Sequence, residues 1–141
     1  MPETFSNELP IVASYSRTGE TELRGSSLGL LSLARLLTSD EPSSAKFRVP
    51  DKSSVYPYDA FLHSVSVTRN EQPVTITREN NTLVISGSLD HLSLLADNII
   101  GLATQASDHT GHLHIDYYPD HFFLSPLSDS LVVERDDSLT H

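Results

Sequence analysis

The stretch Thr82-Leu83-Val84-Ile85-Ser86-Gly87-Ser88-Leu89-Asp90-His91-Leu92-Ser93-Leu94-Leu95-Ala96-Asp97-Asn98-Ile99-Ile100-Gly101-Leu102-Ala103 changes its hydrophobic period once, and that change decides the fold. Up to Ser86 it is a short apolar run behind the turn residues Glu79-Asn80-Asn81, and Pro73-Val74-Thr75-Ile76-Thr77-Arg78 alternates on the other side of that turn. Two such runs about a tight turn read as a β-hairpin. Past Gly87, Ser88 supplies a helix N-cap, and Leu89, Leu92, Ala96, Ile99 and Ala103 recur at helical spacing, with Leu95 and Ile100 widening the stripe. Asp90 lies near the positive N-terminal end of this helix, which is predicted to run to about Gln105. The unit is a hairpin that feeds a helix.

The same unit stands earlier in the chain. Pro10-Ile11-Val12-Ala13-Ser14-Tyr15-Ser16-Arg17 reads as a strand, Thr18-Gly19-Glu20 as a turn and Thr21-Glu22-Leu23-Arg24 as its return. Gly25 then ends the strand, Ser26 offers the cap, and Leu28, Leu30, Leu31, Leu33, Ala34, Leu36 and Leu37 follow at helical spacing to Thr38. Gly29 weakens that helix by about 1 kcal/mol relative to alanine. Gly25 matches Gly87 and Ala34 matches Ala96 at one constant offset. Farther on, after a small gap, Val65-Ser66-Val67-Thr68-Arg69 matches Leu131-Val132-Val133-Glu134-Arg135. Chance can align two leucine-rich helices, but here strands, glycines and helices align together.

Around these units, Ser39 to Ser44 is a predicted loop, Ala45 to Val49 a short strand stopped by Pro50, and Asp51 to Tyr58 a loop leading into a strand from Phe61 to Arg69. Ser107 to Gly111 and Ser125 to Asp129 are further loops, and Ser130 to Arg135 is the last strand. The chain is therefore expected to hold two ββαββ repeats, 9–69 and 72–135, in a single domain between tails at 1–8 and 136–141. A unit of that size buries too little to stand alone, so the copies should share a core. The expected architecture is α+β: a two-layer arrangement of an antiparallel-rich sheet with both helices on one face.

Composition narrows the function classes. With 38% apolar residues in 141, the chain can pack a core. It has no cysteine, which removes disulfides, thiolate ligands and a Cys nucleophile. Met1 to Glu8 shows no signal-peptide pattern and no stretch approaches the roughly 18 apolar residues of a membrane span, so a cytoplasmic protein with no membrane partner is expected. A formal charge of −10 repels phosphate backbones, which argues against nucleic-acid binding and favours a basic protein partner. The same charge also serves plain solubility.

Chemistry concentrates in Gly111-His112-Leu113-His114-Ile115-Asp116-Tyr117-Tyr118-Pro119-Asp120-His121. As a strand it would turn His112, His114 and Asp116 to one face and Leu113, Ile115 and Tyr117 to the other, toward the helices. Two imidazoles about 6–7 Å apart, with Asp116 or His121 as a third ligand, would suit a zinc hydrolase. Such a site needs further ligands, and the remaining His63, His91, His109 and Asp120 form no second motif. Exposed histidines pairing across strands on a polar face are the simpler reading. Gly25-Ser26-Ser27-Leu28-Gly29 lacks the Lys-Ser/Thr ending of a phosphate-binding loop, and Ser26 and Ser88 are explained as caps. The aromatics Tyr117, Tyr118, Phe122 and Phe123 read as a core edge, or, where exposed, as interface residues. No nucleophile, base and orienting group can be assigned together, so no enzyme and no cofactor are expected.

Leu83-Val84-Ile85-Ser86-Gly87, Leu92 with Leu95-Ala96, His112-Leu113-His114-Ile115-Asp116, and Leu127-Ser128 followed by Leu131-Val132-Val133-Glu134 occur in an order that resembles immunity proteins of bacterial polymorphic-toxin and contact-dependent competition systems, from about Thr82 to Glu134. The first half departs from the pattern, with Lys46 and Arg48 where the second has histidines. The resemblance implies a non-enzymatic protein that binds a cognate toxin, with a nuclease as the charge-based expectation, and neutralises it by occlusion. The expected binding surface is His112, His114, Asp116, Tyr118, Asp120 and His121. A small metal-dependent hydrolase on His112, His114 and Asp116, and a structural subunit of a larger assembly, are the alternatives.

Overall fold

The computed structural model describes residues 8–40, 42–50, 58–105 and 110–139. Along them run β1 (Glu8–Leu9), β2 (Ile11–Tyr15), β3 (Glu20–Gly25), α1 (Ser27–Leu37), β4 (Ser43–Phe47), β5 (Ala60–Leu62), β6 (Ser64–Arg69), β7 (Thr75–Glu79), β8 (Thr82–Gly87), α2 (Leu89–Ala103), β9 (Thr110–Ile115) and β10 (Ser130–Asp136). Residues 1–7 of the predicted tail 1–8, the loop residues 51–57 and 107–109, and residues 140–141 lie outside the described residues.

Hairpin and helix signals became hairpins and helices. β2 and β3 pair antiparallel, as do β7 and β8 about Asn80, which turns at φ 57°. Ser26 Oγ accepts the Gly29 N–H at 3.2 Å, and Ser88 Oγ accepts the His91 N–H at 3.1 Å, so both predicted caps are made. The buried stripe of α2 is Leu92, Leu95, Ala96, Ile99, Leu102 and Ala103, with Leu89 and Ile100 displaced to its exposed margins.

The class is α+β, but the strands divide between two mixed five-stranded sheets instead of forming one antiparallel-rich sheet. The first sheet has the order β1-β4-β6-β8-β7 and the second β5-β2-β3-β10-β9. Two bends in the chain produce the division. The predicted strand from Phe61 to Arg69 breaks at His63, whose N–H goes to Asn81 O at 2.7 Å and whose carbonyl accepts from Phe47 N at 2.8 Å, so β5 and β6 enter different sheets. Pro10, with no N–H for a ladder, sits at the other bend, between β1 and β2. The helices accordingly do not lie on one face of one sheet. They pack on each other, and each touches strands of both sheets, around one cluster that joins Leu30, Leu33 and Leu37 to Leu92, Leu95 and Ile99.

Neither half closes a sheet of its own. β10 runs parallel to β3 and β6 runs parallel to β8, so the last strand of each half lies beside the first hairpin of the other. The register is the same in both sheets: Arg135 stands opposite Gly25, and Arg69 opposite Gly87. The glycines are required by close approach. A Cβ on Gly25 would lie 2.9 Å from Ile11 Cγ1, and one on Gly87 would lie 3.1 Å from the Val74 Cα. The arginines close helix ends. Arg69 donates to Ser39 O just past α1, and Arg135, 8% exposed, donates to Leu102 O at 3.3 Å and Gln105 O at 2.8 Å at the end of α2. Guanidinium groups there meet the orphan carbonyls and the negative end of the helix dipole.

Several boundaries differ from expectation: Glu8 of the predicted tail belongs to β1, α2 ends at Ala103, β4 ends at Phe47, and β9 begins at Thr110, inside the predicted loop. β4 starts at Ser43, inside the predicted loop, because Ser43 and Ser44 pair with Val67 and Ser66. The residues after Arg135 do not fray at once. Asp136 ends β10, and Asp137 Oδ1 takes the Ser27 N–H at the start of α1 while its carboxylate pairs with Arg135 at 3.0 Å. Replacing Arg135 by Met should therefore cost about 2–3 kcal/mol, because it removes the donor to the Leu102 and Gln105 carbonyls and the cation that pairs with Asp137. Urea unfolding of the two proteins measures it, and an unchanged midpoint would show that this closure is not needed.

Candidate functional site

β9 is an edge strand whose inner neighbour is β10, with His112 opposite Glu134, Leu113 opposite Val133 and His114 opposite Val132. Gly111 lets it approach α2, since a Cβ there would lie 3.0 Å from Leu102 Cδ1. Ile115 is buried and Leu113 half-buried against the core, while His112 and His114 are exposed, as the alternation predicts. Tyr117 does not continue the pattern: the strand ends at Ile115, and this ring is exposed.

The strand order adds what the sequence reading missed. Glu22 stands opposite Val132, and Arg24 opposite Glu134, so these residues of β3 share the outer face that carries His114 and His112. Glu134 Oε2 lies 3.9 Å from His112 Nε2. Burial, the Glu134 charge and a hydrogen bond to Glu134 hold the Glu22 carboxyl above its usual range, against the opposing pull of Arg24 and His112. The Tyr58 phenol is pushed up to about 12 by burial and by Glu22, Glu20 and Glu134. On this outer face the carboxylates Glu20, Glu22 and Glu134 outnumber Arg24, and the Glu22 carboxyl holds its proton to higher pH. In the sequence the only signal was Glu20-Thr21-Glu22-Leu23-Arg24, whose alternation puts three charged residues on one face.

Of the six expected binding residues, five point outward: His112, His114, Asp116, Tyr118 and Asp120 are exposed. Asp120 turns the chain at φ 67°. His121 is structural. Its Nδ1 accepts the N–H groups of Phe123 at 3.2 Å and Leu124 at 3.0 Å, and its ring lies 4.6 Å from those of both Tyr118 and Phe123. Burial lowers its pKa, in keeping with an unprotonated acceptor nitrogen. The aromatic group splits, with Phe123 buried and Phe122 81% exposed.

His112 and His114 stack with centroids 6.4 Å apart. Among the described residues no three histidine, aspartate or glutamate side chains come together as a metal-binding group. His91 is engaged by Ser88 Oγ, 2.6 Å from its Nδ1, His63 stands at the β5–β6 bend, and His109 lies outside the described residues. No helix in the described residues is long and apolar enough to cross a membrane.

Residues 82–136 match the family model of Immunity protein 32. The matched segment holds β8, α2, β9 and β10, and with them His112, His114 and Glu134. No curated protein and no solved structure matches the chain.

The raised Glu22 pKa has a consequence for stability. The folded chain keeps this proton to higher pH than the unfolded chain, so the contribution is complete below the ordinary value of 4.5 and is lost as pH rises through the folded value. Glu22→Gln, which can still donate a hydrogen bond to Glu134, should be more stable than the parent at pH 7 and should lose that advantage toward pH 4. Urea midpoints across this range test it; parallel profiles for the two proteins would show that the pair is not coupled to folding.

Proposed function

We propose that the chain is an immunity protein that binds a cognate, basic protein toxin in the cytoplasm and neutralises it by occlusion. The match of residues 82–136 to Immunity protein 32 carries this reading. The formal charge of −10 and the acidic outer face with Glu20, Glu22 and Glu134 support it, since complementary charge speeds and orients association. The contact surface is centred on His112, His114, Asp116, Tyr118 and Asp120, with Glu22 and Glu134 behind them. Tyr118, 52% exposed, supplies an aromatic anchor of the type that dominates interfaces. A nuclease fits as the toxin, because its basic substrate cleft would be filled by such a face. The chain itself performs no chemistry in this scheme; it excludes substrate.

The test begins with the neighbouring reading frame, expected to encode a large secreted protein with a C-terminal toxic module. Co-expression with this chain should protect cells and yield a stoichiometric complex. Protection without a complex, or a complex without protection, would rule out occlusion. Charge substitution refines it. Asp116→Lys combined with Asp120→Asn, the latter chosen because asparagine tolerates the positive φ, should slow association several-fold at low salt. The difference should shrink near 1 M salt, where the screening length is about 3 Å. Equal association rates for parent and variant at low salt would place the contact elsewhere.

A further inference from the structure

The edge of a β-sheet presents unpaired N–H and C=O groups to any extended chain, and folded proteins usually shorten, cover or interrupt such edges. Three of the four edges here are treated in that way. β7 is backed by the segment after Phe123: Val74 N donates to Phe123 O at 2.7 Å, Ser125 N to Val74 O at 2.8 Å, and Asp129 N to Ile76 O at 2.8 Å. Ile76 N donates to Ser128 Oγ at 2.9 Å. β1 has two residues and β5 has three. β9 is different. It is six residues long, contains no proline or lysine, and among the described residues no strand pairs with its outer side. Its core-facing Leu113 is only half-buried, so the apolar row of the sheet is still open at this edge.

We infer that β9 is where the toxin docks, an extended segment of that basic partner adding to the sheet as a further strand beyond β9. The inference rests on the immunity reading and specifies its contact. An added strand would satisfy the edge groups of β9 and cover Leu113. Lying about 4.8 Å beyond β9, it would set its outward side chains beside His112 and His114, next to Asp116. A lysine or arginine there reaches toward Glu134 and Glu22, which stand behind the histidines in the same face. Charge selects this occupant over a second copy of the chain, because two molecules of formal charge −10 repel one another.

The test uses the full chain and the toxic module from the neighbouring reading frame. Hydrogen exchange at the amides of residues 110–115 should slow by at least about tenfold on complex formation, as expected when edge groups gain backbone partners. Single substitutions Leu113→Pro and His114→Pro sample both phases of the strand, since successive N–H groups point to opposite sides. One removes a bond to β10 and lowers the melting temperature. The other removes only an edge donor, keeps the melting temperature and should weaken toxin binding by about tenfold or more. A complex in which the β9 amides exchange as in the free chain overturns the inference while leaving the immunity reading intact, as does a thermally unaltered proline variant that binds like the parent. A free chain already dimeric through β9 also overturns it, since the edge would then hold a second copy. If the parent chain neither binds nor protects against the toxin, both readings fall together.

Discussion

The parallel pairing of β10 with β3 and of β6 with β8 is the constraint on which the rest of the structure depends. Each hairpin that opens a half is completed only by the strand that closes the other half. The helices between them must then serve two sheets at once, and their leucines meet in one core. A half cut away from its partner would expose the flank of β3 or β8 and one side of its helix, which is more unpaired backbone and apolar surface than a unit of this size can bear. The register sets an arginine opposite a glycine in both sheets, and both helices have the same kind of C-terminal closure.

The same crossover makes the candidate site. β10 carries Glu134 between β3 and β9, so acids from residues 20–25 come to lie on one face with the histidines of residues 110–115. Burial first, and the neighbouring carboxylates second, raise the pKa values of Glu22 and Tyr58 on this face.

The residues near His121 show how a chemical motif can have a structural purpose. In sequence, His121 beside Asp120 and two tyrosines looks available for binding. In the fold its Nδ1 takes two backbone N–H groups and its ring is wedged between Tyr118 and Phe123, so the turn that presents Tyr118 and Asp120 is held by His121 from within. Asp137 is a similar case: part of a polar tail by composition, yet a link between the start of α1 and Arg135 at the end of α2.

The sequence by itself determined the local elements: both hairpins, both capped helices and the alternation of β9. These depend on periods of two and 3.6 residues, on cap chemistry and on turn residues, all of which act within about ten positions of chain. Only the tertiary structure decided that the strands form two sheets, that the halves exchange their closing strands, and that Glu22 and Glu134 meet beside His112. Those outcomes rest on backbone hydrogen bonds between strands that are from 18 residues (Ser64 and Thr82) to 110 residues (Glu20 and Ser130) apart in sequence, and a strand's side-chain pattern records which face is buried but not which strand lies next to it.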